Sequence, residues 1–225
     1  MTEARPADPA STPAGSTTRA AVGMGVVTAG SRVVGFVRVL VIAAILGTTY
    51  LGNTFQASNS VSNVLFELVA AGALSAALVP GFVSSLARDA HADVVRSANA
   101  LIGIAIVVLG TFSLFAMGSA RWIAEMLVSR APTQAIANQQ ADLATFLLWF
   151  FLPQIVLYAI GAIAIAVLQA RREFLVGSYA PVASSIVMIG ALVVFRVLAG
   201  SDPGLSLSLV EKLVLAFAGT AAVVA

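Results

Sequence analysis

From Ala21 onward the chain is a succession of apolar runs, each long enough to cross roughly 30 Å of hydrocarbon at about 1.5 Å per helical residue. Five are complete, at residues 21–47, 56–86, 97–118, 143–169 and 175–199, and a sixth starts at 205. The expected fold is an all-α polytopic membrane protein with about six transmembrane helices. Composition agrees. The 225 residues are 60% hydrophobic and 10% charged, with a mean hydropathy of +1.00, against about 45–50% and about 25% in soluble domains. A soluble chain of this length would have too much surface for so few charges. Ala225 ends the sequence in mid-run, so the protein is expected to continue.

Several function classes drop out. The absence of cysteine excludes disulfides, thiolate metal sites and cysteine nucleophiles. The single histidine, His91, lies in the polar stretch Arg88-Asp89-Ala90-His91-Ala92-Asp93 and reads as a solvated surface residue. Lys212 is the only lysine, so no upstream Walker-type phosphate loop has its lysine. A net charge of +2, scattered along the chain, does not make a nucleic-acid surface. No acid pair and no Ser/His/Asp set stands out. The sequence therefore nominates no catalytic residue, metal site or cofactor.

Residues 1–20, with Pro6, Pro9 and Pro13 among small and polar residues, read as a disordered cytoplasmic tail. An inside N-terminus puts Arg5, Arg19, Arg88, Arg96, Arg171 and Arg172 in the cytoplasm, against Arg121, Arg130, Arg196 and Lys212 outside. Between the third and fourth runs, Trp122, Ile123, Met126 and Leu127 share a helical face opposite Arg121, Glu125 and Ser129. A helix over 119–131 lying in the membrane interface fits this pattern, and so does a linker helix packed on its own bundle.

Arg32, Arg38 and Glu67 fall inside the first two runs. A charge at mid-membrane costs about 2.5–3.5 kcal/mol on insertion scales, so each should face a partner or a watery cavity. One reading is a buried ion pair between an arginine and Glu67. The other is an anion site, since guanidinium offers planar, paired donors to phosphate. Asn59 and Asn63 share a face near Ser60 and Glu67, as a cavity wall or as inter-helix hydrogen-bonding groups. Pro80 and Pro153 interrupt apolar runs and should kink their helices. Gly35 and Gly72 join them as candidate kink or gating positions. Small-residue pairs such as Gly25/Ala29 and Ala162/Ala166 report close helix packing.

The stretch Ser31-Arg32-Val33-Val34-Gly35-Phe36-Val37-Arg38 resembles the first helix of the MurJ/MviN family, the lipid II flippases of peptidoglycan synthesis. Further similarities follow in order: Asn53-Thr54-Phe55, Asn63, Gly72 through Pro80, Pro153, Leu168-Gln169-Ala170 with Phe174, Ala180-Pro181, and Met188-Ile189. The resemblance runs from about residue 21 to the end. It implies the N-terminal lobe of a two-lobe flippase, of the wider multidrug/oligosaccharidyl-lipid/polysaccharide exporter group, in the bacterial cytoplasmic membrane. The implied cargo is lipid II, moved from the inner to the outer leaflet by a transporter rather than an enzyme. Implied partners are that cargo, membrane lipids and cell-wall synthesis proteins, with no nucleic acid.

The resemblance puts Arg32 and Arg38 on positions that engage the cargo's diphosphate, with Asn63 and Glu67 beside them as substrate-binding candidates. Phe66 stands where a second-helix arginine is often found, Ala71 replaces a glutamate, Asn53 an aspartate and Ser62 a proline. Glu67, one turn before the lost glutamate, is expected to supply a carboxylate to the same region. Two other functions share these features: export of another lipid-linked oligosaccharide or a cationic drug, and a non-transporting scaffold for cell-wall enzymes.

Overall fold

A computed structural model describes residues 14–47, 49–69, 91–129, 131–170, 174–201 and 203–224. Its helices are α1 (Ala14–Leu46), α2 (Tyr50–Val69), α3 (His91–Gly118), α4 (Ala120–Leu127), α5 (Gln134–Phe151), α6 (Gln154–Ala170), α7 (Phe174–Ala199) and α8 (Leu209–Val224). Three helical stretches are long and apolar enough to cross a membrane: Ala29–Leu46, Gln134–Leu168 and Tyr179–Ala199. Ile102–Gly118 and Ala120–Leu127 make a fourth if this pair, bent by 66°, counts as one span. Large apolar side chains such as Phe36, Leu68, Leu114, Phe115 and Val197 lie exposed on the bundle. Lipid, unlike water, leaves such a surface unpenalised.

The apolar runs locate membrane entry better than helix ends, because polar capping residues extend or trim each helix. Helix α1 starts at Ala14, directly after the last proline of the tail, so residues 14–20 are helical where a disordered tail was expected. Helix α2 starts at Tyr50, not at 56. Thr49 makes this early start: its hydroxyl donates to Leu46 O at 2.7 Å and accepts from Gly52 N at 3.3 Å, which joins two helix ends in one tight turn. Helix α5 starts at Gln134, where Thr133 accepts from Ile136 N, nine residues ahead of the expected entry at 143. The stretch Gln134–Leu168 is about 52 Å long at 1.5 Å per residue, so its polar first turns stand outside the hydrocarbon. Helix α8 starts at Leu209, not 205. Ser208 and Glu211 form a reciprocal cap there, Ser208 N donating to Glu211 Oε2 at 2.6 Å and Glu211 N to Ser208 Oγ at 3.3 Å. Helix α4 covers 120–127 of the expected 119–131.

Two apolar cores meet along α5. One joins α1, α2, α5, α7 and α8 through Leu46, Phe55, Leu147, Phe151, Leu192, Phe195 and Leu215. The other joins α3, α4, α5 and α6 through Leu109, Ala124, Leu148, Leu152, Ile155 and Ile163. Helix α7 packs most extensively on α8 and α1, α3 on α6, and α4 on α5, whereas α1 barely touches α2. That splay leaves room beside α1 and α2 in the interior of the bundle.

The α1–α2 turn leaves no space for a side chain at Gly52. A Cβ there would sit 2.4 Å from Gly47 O and 3.1 Å from Leu46 O. Both obstacles are backbone, fixed by the left-handed Gly47 (φ +66°) and the Thr49 hydroxyl. Gly52→Ala is expected to destabilise the bundle by about 1–3 kcal/mol, as overpacked sites do. Gly190→Ala, in open space on α7, should be neutral or slightly stabilising. Thermal unfolding of the two variants in detergent checks the contrast.

Candidate functional site

Helices α1, α2, α6, α7 and α8 wall a cavity of about 560 Å³, within the usual range of about 300–1,000 Å³ for small-molecule sites. Helix α2 contributes a polar row, since steps of three and four residues place Gln56, Asn59 and Asn63 on the cavity side. Ser58 and Ser62, on the other side of α2, are buried in the bundle. Asn63 Nδ2 donates to Asn59 O at 3.4 Å, which links the row along the helix. Both readings of this stripe are met: Asn59 and Asn63 line the cavity wall, and the Asn63 side chain also hydrogen-bonds Tyr158 across to α6.

Arg38 enters the cavity from α1, eight residues or about 12 Å short of that helix's C-terminal end. Its Nε is buried and makes no hydrogen bond. A guanidinium carries five donors, and an unmet one in a low-dielectric site draws an acceptor. Among the described residues lining the cavity, only Arg38 bears a formal charge at neutral pH. Among the described residues, the electrostatics of the cavity are therefore those of a single cation.

Tyr158 on α6 faces Arg38 and Asn63 and packs on Phe66, with ring centroids 5.7 Å apart and planes 41° from parallel. Ser184 lines the α7 side, and its hydroxyl and that of Ser185 donate to Pro181 O at 3.1 and 2.7 Å. Those bonds involve α7 at the turn where Pro181 interrupts its hydrogen-bond ladder. Tyr158, Ser184 and Pro181 were not singled out as site residues by sequence. Their one signal is polarity, or a proline, in an otherwise apolar helix.

The sequence candidates divide. Arg38 and Asn63 share the cavity, whereas Arg32 and Glu67 are exposed and do not line it. Six residues turn an α-helix by about 240°, so Arg32 cannot share the direction of Arg38. The buried arginine–Glu67 pair does not form: among the described residues the ion pairs are Arg121–Glu125 at 2.7 Å and Arg121–Asp142 at 2.5 Å. Glu67 lies one residue past Phe66, the last α2 residue on the cavity, so its carboxylate is not delivered there. Helix α1 runs unbroken through Gly35, which is therefore no break in the helix. Pro153 does separate α5 from α6, as expected. Beside it the buried Gln154 donates from Nε2 to Thr220 Oγ1 at 2.9 Å, tying the break to α8. Gly72 and Pro80 lie outside the described residues.

At the end of the bundle away from Glu67, Gln140 Nε2 donates to Thr54 Oγ1 at 3.0 Å and to Tyr50 O at 3.3 Å, joining α5 to the start of α2. Arg121 bridges α4 to α5 there; its hydrogen bonds to Glu125 and then Asp142 raise its pKa further above the ordinary arginine value. These exposed pairs orient α4 and contribute little stability. Ala120 and Ala124 of α4 are buried against α5, while Trp122 and Met126 are 73% and 79% exposed.

Apolar helices with lipid-compatible outer faces, arranged around a cavity with one polar row, define an all-α polytopic membrane protein. The pattern of the family described as "Lipid II flippase MurJ" matches residues 42–225, and the chain belongs to that family. It is 27% identical over 180 residues to a probable lipid II flippase MurJ of Rhizobium tropici, covering 80% of this chain and 33% of that protein. Over 168 residues it is 29% identical to a probable lipid II flippase MurJ of Vibrio cholerae, with 71% and 31% covered. A lipid II flippase MurJ of Burkholderia cenocepacia is 28% identical over 166 residues, with 72% and 31% covered. The chain thus spans about a third of the length of these curated relatives. No solved structure matches it.

Proposed function

We propose that the chain forms the N-terminal lobe of a two-lobe flippase that carries lipid II from the inner to the outer leaflet of the bacterial cytoplasmic membrane. The observation that carries this reading is the Arg38 guanidinium, the one formal charge among the described residues lining a cavity between apolar helices, with its buried Nε unbonded. A cationic cavity of this kind selects an anionic headgroup, and a drug exporter for cations would instead need acids in the lining. Transport then requires only different affinities in two conformations, with no covalent step, so the protein is a transporter and not an enzyme. Arg32, exposed on the lobe surface, is a candidate contact for the same cargo from outside this cavity. Lipid II and the surrounding lipids are the partners, with cell-wall synthesis proteins as further ones.

The test is outer-leaflet exposure of lipid II in cells depleted of the full-length gene product. Rescue by wild type but not by Arg38→Gln, at matched membrane levels, is the expected result. Equal rescue by both would reject the cavity as the cargo site.

With the N-terminus in the cytoplasm, α4 lies at the outer surface, and its exposed Trp122 and Met126 dip into the membrane interface. In a Trp149→Phe background, lipids brominated near the headgroup should quench Trp122 fluorescence strongly. Aqueous iodide should quench it weakly. The reverse pattern would place α4 in water.

A further inference from the structure

The cavity's chemistry is richer than a diphosphate needs, and the surplus has one character. Beyond Arg38, its polar wall is a row of neutral amides, Gln56, Asn59 and Asn63, facing in from α2. Each amide offers both donors and acceptors, the combination that matches hydroxyl and acetamido groups rather than bare phosphate oxygens, which only accept. One turn beyond Asn63 on the same helix, Phe66 packs against Tyr158 of α6, and the two rings line the adjoining part of the cavity. A pyranose ring presents hydroxyls at its rim and C–H groups on its faces, so amides at the edge and aromatic rings at the face fit it.

Resting on the flippase reading above, we propose that this cavity within the lobe recognises the sugar adjoining the anionic group of the cargo. Arg38 takes the phosphate oxygen, and Gln56 and Asn59 take the hydroxyl and acetamido groups. The Phe66–Tyr158 wall packs on the ring. The ligand class is a sugar phosphate, held by one cation and neutral amides with no carboxylate involved.

The experiment uses the full-length protein in nanodiscs and isothermal titration with three probes: N-acetylglucosamine 1-phosphate, inorganic phosphate and neutral N-acetylglucosamine. The sugar phosphate is expected to bind about 10-fold or more tighter than inorganic phosphate, as one or two added hydrogen bonds provide. The double variant Gln56→Ala/Asn59→Ala should lose that advantage while still binding inorganic phosphate, which also reports that its cavity is folded. Arg38→Gln should lose both ligands. Equal or undetectable binding of the two phosphates by wild type would overturn the proposal. So would an advantage that survives the double variant, or loss of inorganic phosphate binding along with it. Failure here with Arg38→Gln still defective in lipid II exposure removes the sugar site alone, whereas normal exposure with Arg38→Gln removes the flippase reading itself.

Discussion

Arg38→Gln should weaken binding of a diphosphate-bearing lipid by roughly 10–100-fold, the effect of losing one charge-assisted interaction worth about 1.5–3 kcal/mol. The substitution keeps a polar, hydrogen-bonding side chain, shorter and with fewer donors, but removes the only formal charge in the described cavity lining at neutral pH. Among the described residues it also breaks no ion pair, because those pairs are made by Arg121. Membrane insertion should improve slightly, since a cation no longer has to be carried to mid-membrane. Reduced binding together with unchanged or improved insertion is the signature of a functional rather than a structural arginine. Ligand titration and membrane fractionation on one set of preparations measure both.

Phe151→Ala is expected to cost about 3 kcal/mol, at the low end for deletion of a buried aromatic ring. The low end applies because a lipid-embedded protein exchanges its interior with hydrocarbon rather than water, leaving mainly the cavity term. Phe151 is fully buried at the end of α5, just before the Pro153 break. Its ring meets Phe55 edge-on at 5.9 Å and lies so close to α8 that a Cβ at Gly219 would fall 2.5 Å from Cε1. One side chain thus joins α2, α5 and α8 next to the helix break. Reversible unfolding in mixed micelles, compared with Phe150→Ala on the exposed side of the same turn, should show at least twice the loss for Phe151.

Hydrophobicity made the fold class legible in the sequence, since run length alone separates lipid-spanning helices from soluble ones. Helix ends were less legible because short-range capping sets them: Thr49 starts α2 and the Ser208–Glu211 pair starts α8, both outside the apolar pattern. The site was half legible. Arg38 and the Asn59/Asn63 row stood out as polar groups at helical spacing, and they do meet in one cavity. Arg32 and Glu67 carry the same charge signal yet face elsewhere, because helix rotation is fixed by packing partners that a single sequence does not reveal. Tyr158 and Ser184 come from α6 and α7, distant in sequence from α1 and α2, so only folding brings them to the arginine.

Lipid II translocation by the reconstituted full-length protein, followed by accessibility of its headgroup across proteoliposomes, tests the central claim most directly. Wild type should move lipid II, and Arg38→Gln, at equal reconstitution and with its helices intact by circular dichroism, should move it at least about 10-fold more slowly. Translocation at the wild-type rate with Arg38→Gln would contradict the claim that the cargo's anionic group is handled in this cavity.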